Sequence, residues 1–263
     1  MTLPLSGTLS MQMVNTEFDR PAGSFLAMSQ LYRGGPIVTQ QNTNVPTSGW
    51  FALSQLRGAS SVFYGSTNGA VKLNIYNACV AQGWDGRSKV QFTINNGAII
   101  TSPSNIEYAM TIIGSFPKGI TVYNYGIIAG RGGDGKPYYD SSQAASGFTA
   151  MRAYVPVTFH NNGIISGGGG GGGSGGAGGG GGGAGGGAGG AGDSSASSWG
   201  AGGGLTTGGG GGYSPVGSGG AGGGGGGAGA NGALGLGGFG GAGVDGGANV
   251  SWAVYGAIYG GVI

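Results

Sequence analysis

Uninterrupted runs of glycine limit the folds open to this chain more than any other feature of its sequence. Glycine supplies 72 of the 263 residues and continues without a break through 167–173, 178–183 and 222–227. Collagen is excluded, because its triple helix needs glycine at every third position with proline between. Residues 167–247 are therefore either a flexible linker or a bundle of extended helices that hydrogen-bond through their backbones.

The short segments that separate the glycine runs favour the ordered bundle. Ordering a residue costs about 1–2 kcal/mol, and glycine buries no side chain in return. Backbone hydrogen bonds of about 1 kcal/mol each offset this cost only if nearly every N–H and C=O finds a partner. Glycine in the polyproline-II conformation, called polyglycine II, meets this condition because its bare backbones can approach closely. We expect a polyglycine II helix bundle over 167–247 and a closing strand over 248–263.

Residues 66–166 carry a different repeat, which predicts β-structure. Segments 92–100, 122–128 and 159–165 each combine alternating apolar residues, an Asn-x-Gly turn and an apolar pair. The alternation indicates strands, and glycine in such a turn takes positive φ without strain. The repeat predicts a small β-rich domain of solenoid-like rungs with insertions of unequal length. One insertion, 131–140, combines charges with two tyrosines, and we expect it to stand in solvent.

The first 65 residues contain related short segments. Residues 6–13, 22–31 and 48–56 each join a turn of small residues to a short apolar stretch, and the last two end in Ser-Gln-Leu. A unit this short cannot bury its own apolar side, so it must dock either on its own copies or on a neighbouring subunit. These clasp-like repeats predict that residues 1–65 are an attachment segment. The fold class expected for the whole chain is mainly β.

Charge and residue usage exclude several classes of protein. The formal charge is only +2 and the basic residues are scattered, so we expect no surface for nucleic acid. No apolar run approaches the roughly 20 residues that span a bilayer, which predicts no membrane insertion. Cys79 is the only cysteine and should be a buried apolar residue, without a disulfide or a thiolate metal site. His160 is the only histidine and no catalytic motif accompanies it, so we expect neither enzyme activity nor a cofactor or metal.

Larger side chains that interrupt the glycine-rich sequence are the candidate contact residues. Rigid aromatic rings among serine, glycine and asparagine are typical of recognition surfaces. The candidates are Tyr138, Tyr139, Trp199, Tyr213, Leu234 and Phe239. The alternative is that these side chains only cap the bundle or pack on the β-rich domain.

Residues from about 112 to 263 resemble a known family. The similarity rests on Gly126-Ile-Ile-Ala-Gly-Arg-Gly-Gly-Asp-Gly135, on Asn161-Asn-Gly-Ile-Ile-Ser-Gly-Gly-Gly169, and on the alternation of glycine motifs with other segments. They resemble the receptor-recognising adhesins at the tips of long tail fibres in T-even-type bacteriophages. The resemblance implies a sandwich of polyglycine II helices whose variable loops contact an outer-membrane protein of the host.

Two functions are compatible with these features. The first is a tail-fibre tip adhesin that binds a host surface protein or glycan and joins other phage tail proteins through residues 1–65. The second is a structural tail or baseplate component in which the glycine-rich bundle is a cap without receptor contact. Residues 1–65 depart from the adhesins and are similar to repeats at the starts of phage tail and neck proteins. In both cases we expect a virion protein that is made in the host cytoplasm.

Overall fold

The computed structural model describes residues 2–104, 106–137, 140–174, 201–204, 207–211, 213–214, 217–227, 229–231 and 235–263. The glycine run 178–183 lies outside these residues. The chain divides into two units. The first consists of Met1–Gly65, Tyr76–Phe92 and Ser115–Thr121, and the second of Ser66–Ile75, Thr93–Gly114 and Val122–Ile263.

Short strands dominate the described secondary structure, so the prediction of a mainly β protein is confirmed. The helices are α1 (Met11–Glu17) and α2 (Ile75–Ala81), with 3-10 turns at Met28–Leu31, Leu53–Leu56 and Gly247–Asn249. The strands are β1 (Val62–Thr67), β2 (Ala70–Val71), β3 (Leu73–Asn74), β4 (Lys89–Ile94), β5 (Ile99–Thr101), β6 (Met110–Ile112), β7 (Ile120–Asn124), β8 (Ile127–Ala129), β9 (Met151–Ala153), β10 (Val157–Asn161), β11 (Ile164–Ser166), β12 (Tyr213–Ser214), β13 (Gly217–Ser218), β14 (Val244–Asp245), β15 (Val250–Val254) and β16 (Ala257–Tyr259).

Parallel pairing places each passage of the chain beside the next. One sheet of the second unit has the order β16-β11-β8-β5-β2 and another the order β14-β9-β6-β3. Within the second unit β10 also pairs in parallel with β15. Because neighbouring strands come from successive passages, the arrangement is a parallel β-solenoid, in which every rung packs on its neighbours.

The register of these strands matches the repeat found in the sequence. In each rung the first isoleucine of the apolar pair aligns with the first isoleucine of the next rung, and the second with the second. The two rows are Ile99–Ile127–Ile164 and Ile100–Ile128–Ile165. The second row is fully buried, whereas the first row is half-buried or exposed. The predicted solenoid-like rungs are therefore confirmed.

The glycines of the repeated turn serve two different purposes. Gly97 has φ +77°, as predicted for a tight turn. The prediction is wrong for Gly126 and Gly163, which do not have positive φ. A Cβ atom at Gly126 would lie 2.4 Å from the carbonyl oxygen of Ala98, and one at Gly163 would lie 2.1 Å from that of Gly126. Glycine is needed at these two positions because the backbone of the preceding rung passes too close for a side chain.

Hydrogen bonds between the glycine-rich segments recur at every third residue. Residues 130, 133 and 136 donate their backbone N–H groups in parallel order to residues 166, 169 and 172, at 2.8, 2.8 and 3.1 Å. Residues 220, 223 and 226 donate in antiparallel order to residues 173, 170 and 167, at 2.9, 2.9 and 2.7 Å. Strand pairing repeats at two residues, whereas the polyproline-II helix repeats at three. These segments therefore pair differently from the solenoid strands.

The insertion 131–140 does not stand free in solvent, contrary to the expectation from its charges. Gly132 and Gly133 are buried, and the other described residues of this insertion are half-buried. Lys136 Nζ lies 2.8 Å from Asp140 Oδ2, so part of the charge is neutralised within the insertion. The physical reason is the glycine content, because a backbone without side chains can lie against the 166–172 segment and hydrogen-bond to it.

The first unit has an apolar core to which its repeats contribute. Gln30 and Gln55 accept hydrogen bonds at 3.3 and 2.7 Å from backbone N–H groups at the starts of the two 3-10 turns. Leu31 and Leu56, which follow these glutamines, are fully buried. The core consists of Leu3, Val14, Phe18, Leu31, Val38, Val45, Phe51, Leu56 and Ala59. Ser-Gln-Leu recurs because glutamine closes the turn and leucine fills the core.

Cys79 lies on α2 and is fully buried, as predicted. Burial raises the pKa of its thiol to about 12, so the group stays protonated at neutral pH. Nearby in the first unit, Trp84 stacks on Phe116 with ring centroids 5.2 Å apart, and Tyr76 meets both rings edge-on. Cys79 therefore serves as a small apolar residue.

Candidate recognition and attachment surfaces

Among the predicted contact residues, Phe239 has a described side chain. Tyr213 belongs to β12, which pairs antiparallel with β13, but its side chain is outside the described part of the chain. The predicted residues that lie outside the described residues altogether are Tyr138, Tyr139, Trp199 and Leu234. The geometry of the candidate recognition site is therefore that of Phe239 and its surroundings.

Phe239 combines a fixed backbone with an exposed ring. Its N–H donates to Ser146 Oγ at 3.3 Å, and its carbonyl oxygen accepts from the N–H of Gly147 at 2.8 Å. The side chain nevertheless is 66% exposed. An exposed ring on a backbone that is fixed by hydrogen bonds loses little conformational entropy on binding, which suits it to recognition.

Leu236 is a second exposed apolar residue close to Phe239 in the sequence, and it is not among the contact residues predicted from the sequence. It is 58% exposed and precedes Phe239 by three residues, the spacing at which hydrogen bonds recur between the glycine-rich segments. A Cβ atom at the intervening Gly238 would lie only 2.0 Å from the carbonyl oxygen of Ala145. Side chains are therefore tolerated here at every third position, and that spacing could have identified Leu236.

Polar side chains border this apolar pair. Gln143 Nε2 donates to the carbonyl oxygen of Gly237 at 3.2 Å, and Asn231 Oδ1 accepts from the N–H of Gly237 at 3.0 Å. Both side chains belong to exposed residues. An apolar contact with a polar rim is the usual composition of a protein-binding surface.

Two further exposed aromatic rings lie in the first unit and were not predicted residue by residue. Phe25 is 99% exposed and Trp50 is 97% exposed. Gly23 and Gly49, at φ +78° and +85°, turn the chain just ahead of them. Phe25 and Trp50 hold the same place relative to the buried leucine of their repeats. The repeat therefore pairs one exposed ring with one buried leucine.

Two grooves in the first unit run beside α1. One has a volume of about 430 Å³ and is lined in part by Leu3 and Met13, and the other has about 680 Å³ and is lined in part by Met11, Phe25 and Met28. The three methionines are partly exposed. Methionine is flexible and polarisable, which suits these grooves to contact with apolar side chains of another protein.

A polar network lies at the β14-β9-β6-β3 sheet, where charged groups pair with one another. Tyr108 Oη donates to Asp245 Oδ2 at 2.8 Å, and Arg152 donates Nη1 to Tyr108 Oη at 3.0 Å. Burial and the hydrogen bond to Asp245 raise the pKa of Tyr108. The Arg152 guanidinium also lies over the ring of Tyr154 at 4.5 Å. The Asp245 carboxylate is thus already engaged by protein donors.

Metal sites and membrane-spanning helices are absent from the described residues. No group of three His, Cys, Asp or Glu side chains among them could hold a metal ion. None of the helices in the described ranges has the length and apolar character needed to cross a bilayer. The exposed surfaces around Phe239 and around Phe25 and Trp50 remain the candidate functional sites.

Comparison with known proteins identifies the family. The family model of the phage tail fibre adhesin Gp38 matches residues 61–263. The fold is similar to a chain in the crystal structure of the gp37-gp38 adhesin tip complex of the bacteriophage S16 long tail fibre, with 22% identity and a TM-score of 0.56. This likeness covers 98% of this chain and 100% of that chain. No curated protein matches the sequence.

The resemblance found in the sequence is confirmed and begins earlier than residue 112. Residues 1–60 lie outside the family model, but the likeness in fold includes nearly the whole chain. Since the family model matches most of its residues, the chain belongs to the phage tail fibre adhesin Gp38 family.

Proposed function

We propose that this protein is a tail-fibre tip adhesin that binds a receptor on the host cell surface. Its membership of the tail fibre adhesin family implies a location on the tail fibre of the virion. The observation that carries the proposal is the pair Leu236 and Phe239, which stand exposed on a backbone fixed by hydrogen bonds. The role is binding, without catalysis.

We also infer that the glycine-rich segments are packed polyglycine II helices. Their hydrogen bonds recur at every third residue in both parallel and antiparallel pairs. A Cβ atom at Gly168 would lie 1.8 Å from the carbonyl oxygen of Arg131, and one at Gly171 would lie 2.1 Å from that of Asp134. Backbones this close leave room only for glycine, which supports the bundle over a linker.

Recognition then depends on the side chains that interrupt this lattice. Glycine offers only peptide groups, which every protein surface carries, so discrimination between hosts must come from other residues. Leu236 and Phe239 are large, exposed apolar members of this set among the described residues. The further candidates from the sequence remain Tyr138, Tyr139, Trp199, Tyr213 and Leu234.

We propose that the first unit attaches the protein to another tail fibre protein. The S16 structure is described as a complex of gp37 with gp38, which supports a fibre partner for this chain. Phe25 and Trp50 are almost fully exposed, and Phe25 also lines one of the two grooves beside α1. Apolar side chains this exposed are costly in water unless a partner covers them.

Receptor binding is tested by adsorption competition with the purified protein. Wild-type protein added in excess should block adsorption of the phage, and Phe239→Ala should weaken binding to host cells about thirtyfold, since an aromatic anchor is worth about 2 kcal/mol. Ile106→Ala is the matched control, because Ile106 is 77% exposed but lies outside the glycine-rich segments. Equal binding by the two folded variants would favour the structural cap as the function of the glycine-rich region.

Attachment is tested by incorporation into particles. The double variant Phe25→Ser, Trp50→Ser should fold normally, because neither ring contributes to the core, but should be lost from virions. Phe239→Ala is the control and should be incorporated as the wild type is. Normal incorporation of the double variant would show that the fibre partner binds elsewhere.

A further inference from the structure

A small polar pocket in the first unit brings together cationic side chains from three separate segments. It has a volume of about 260 Å³. Arg20 follows α1, Arg87 belongs to the turn after α2, and Lys118 belongs to the turn before β7. Because segments far apart in sequence converge here, the fold and not a local charge run creates the cluster.

Two carboxylates also line the pocket, and both are already engaged. Asp85 Oδ1 accepts hydrogen bonds from the N–H groups of Arg87 and Ser88 at 2.9 and 3.0 Å and from Ser88 Oγ at 2.9 Å. Burial would raise the pKa of Asp85, but these hydrogen bonds lower it overall. Asp19 Oδ2 accepts from Lys118 Nζ at 3.3 Å. The carboxylates therefore serve the turn at 85–88 and the Lys118 contact.

The two guanidinium groups retain donors for an external acceptor. Neither Arg20 nor Arg87 forms an ion pair with a carboxylate among the described residues. Arg20 Nε is buried and has no hydrogen-bond partner within the described chain. Because Nε is shielded from solvent, an oxyanion in the pocket would be bound by the terminal guanidinium nitrogens, through charge-assisted hydrogen bonds that are stronger than those between neutral groups.

We propose that this pocket binds a phosphate group carried by a ligand from outside the chain. A phosphate presents oxygens in several directions and carries up to two charges, which suits two guanidinium groups that approach from separate segments and have no carboxylate ion pair, with the Lys118–Asp19 pair beside them. A carboxylate is planar and is satisfied by the fork of a single guanidinium. The volume exceeds that of one phosphate ion, which leaves room for part of the group to which the phosphate is esterified.

Calorimetric titration of the full chain tests this site, with inorganic phosphate, glucose 1-phosphate and acetate as probes at low ionic strength. We expect saturable 1:1 binding of both phosphates, with acetate much weaker. Tighter binding of glucose 1-phosphate than of inorganic phosphate would identify an ester as the natural source, and equal binding would identify the free ion. Acetate binding as tightly as phosphate would overturn the assignment.

Substitutions locate the binding to the pocket. Arg20→Gln and Arg87→Gln should each weaken phosphate binding about tenfold or more, because each removes charge-assisted hydrogen bonds. Lys89→Gln is the matched control, since it makes the same change in net charge at an exposed residue close in sequence that does not line the pocket. Arg87 is exposed, so its variant should keep the melting temperature of the wild type and separates loss of the site from loss of folding. Equal affinities for Arg87→Gln and Lys89→Gln would defeat the proposal.

Discussion

The solenoid and the glycine-rich segments of the second unit both pair their backbones, but different interactions stabilise the two regions. Both form backbone hydrogen bonds between neighbouring segments, yet the solenoid pairs its strands around buried isoleucines, whereas the described glycine-rich segments pair backbone against backbone. Side chains stabilise the first region by apolar burial. In the second region a side chain at most positions would prevent pairing altogether. The difference predicts opposite responses to substitution.

The largest effect is expected from removal of a core side chain in the solenoid. Ile128 is fully buried in the row between Ile100 and Ile165, and Ile128→Ala should reduce the free energy of unfolding by about 4 kcal/mol. The neighbouring Ile127 is only half-buried, so Ile127→Ala is the control and should cost about 1 kcal/mol. Urea denaturation measures both. Similar losses for the two variants would mean that the inner row does not form the core.

The next effect is expected from addition of a side chain to the glycine-rich segments. Gly171→Ala should reduce the free energy of unfolding by about 3 kcal/mol, because its Cβ would lie 2.1 Å from the carbonyl oxygen of Asp134 and force two backbones apart. Gly210→Ala is the control. A Cβ there meets nothing within 4 Å and φ is not positive, so the change should alter stability by less than about 1 kcal/mol. If Gly171→Ala unfolds as the wild type does, the close backbone packing is refuted.

The smallest effect concerns a charge at the edge of the glycine-rich region. Hydrogen bonds from Lys136 and Ser142 lower the pKa of Asp140 to about 2, below the ordinary value of about 3.9. A lowered folded-state pKa contributes stability that is present above the ordinary value and is lost as the pH falls toward 2. Asp140→Asn should therefore flatten the dependence of melting temperature on pH between about 4 and 2. An unchanged pH profile in this variant would mean that the ionised side chain adds no stability.

Some features of the fold could be predicted because local patterns carry them. The Asn-x-Gly repeat and the apolar pairs predict the rungs of the solenoid. The alternation of apolar residues along a strand predicts which side chains face inward. The solvent exposure predicted for the insertion 131–140 is wrong. Its charges favour contact with solvent, but its glycines allow close pairing with 166–172. The charged groups could instead pair locally, as Lys136 and Asp140 do.

The proposed contact residues, for the receptor and for the fibre partner, divide in the same way. Phe239 could be picked out as a large ring among small residues, whereas Leu236 needed the three-residue repeat of the folded segment. Phe25 and Trp50 belong to a repeat that was visible, but the sequence did not distinguish the exposed ring from the buried leucine. That distinction depends on which side of each segment meets the core of the first unit.

By itself the sequence determined the family resemblance, the rung repeat and the need for backbone pairing in the glycine runs, because these follow from residue type and spacing. The tertiary structure alone decided why Gly126 and Gly163 are glycine. It also decided which donors converge on the pocket of Arg20, Arg87 and Lys118. Both depend on segments distant in the chain that lie a few ångströms apart, and no local pattern encodes such a distance.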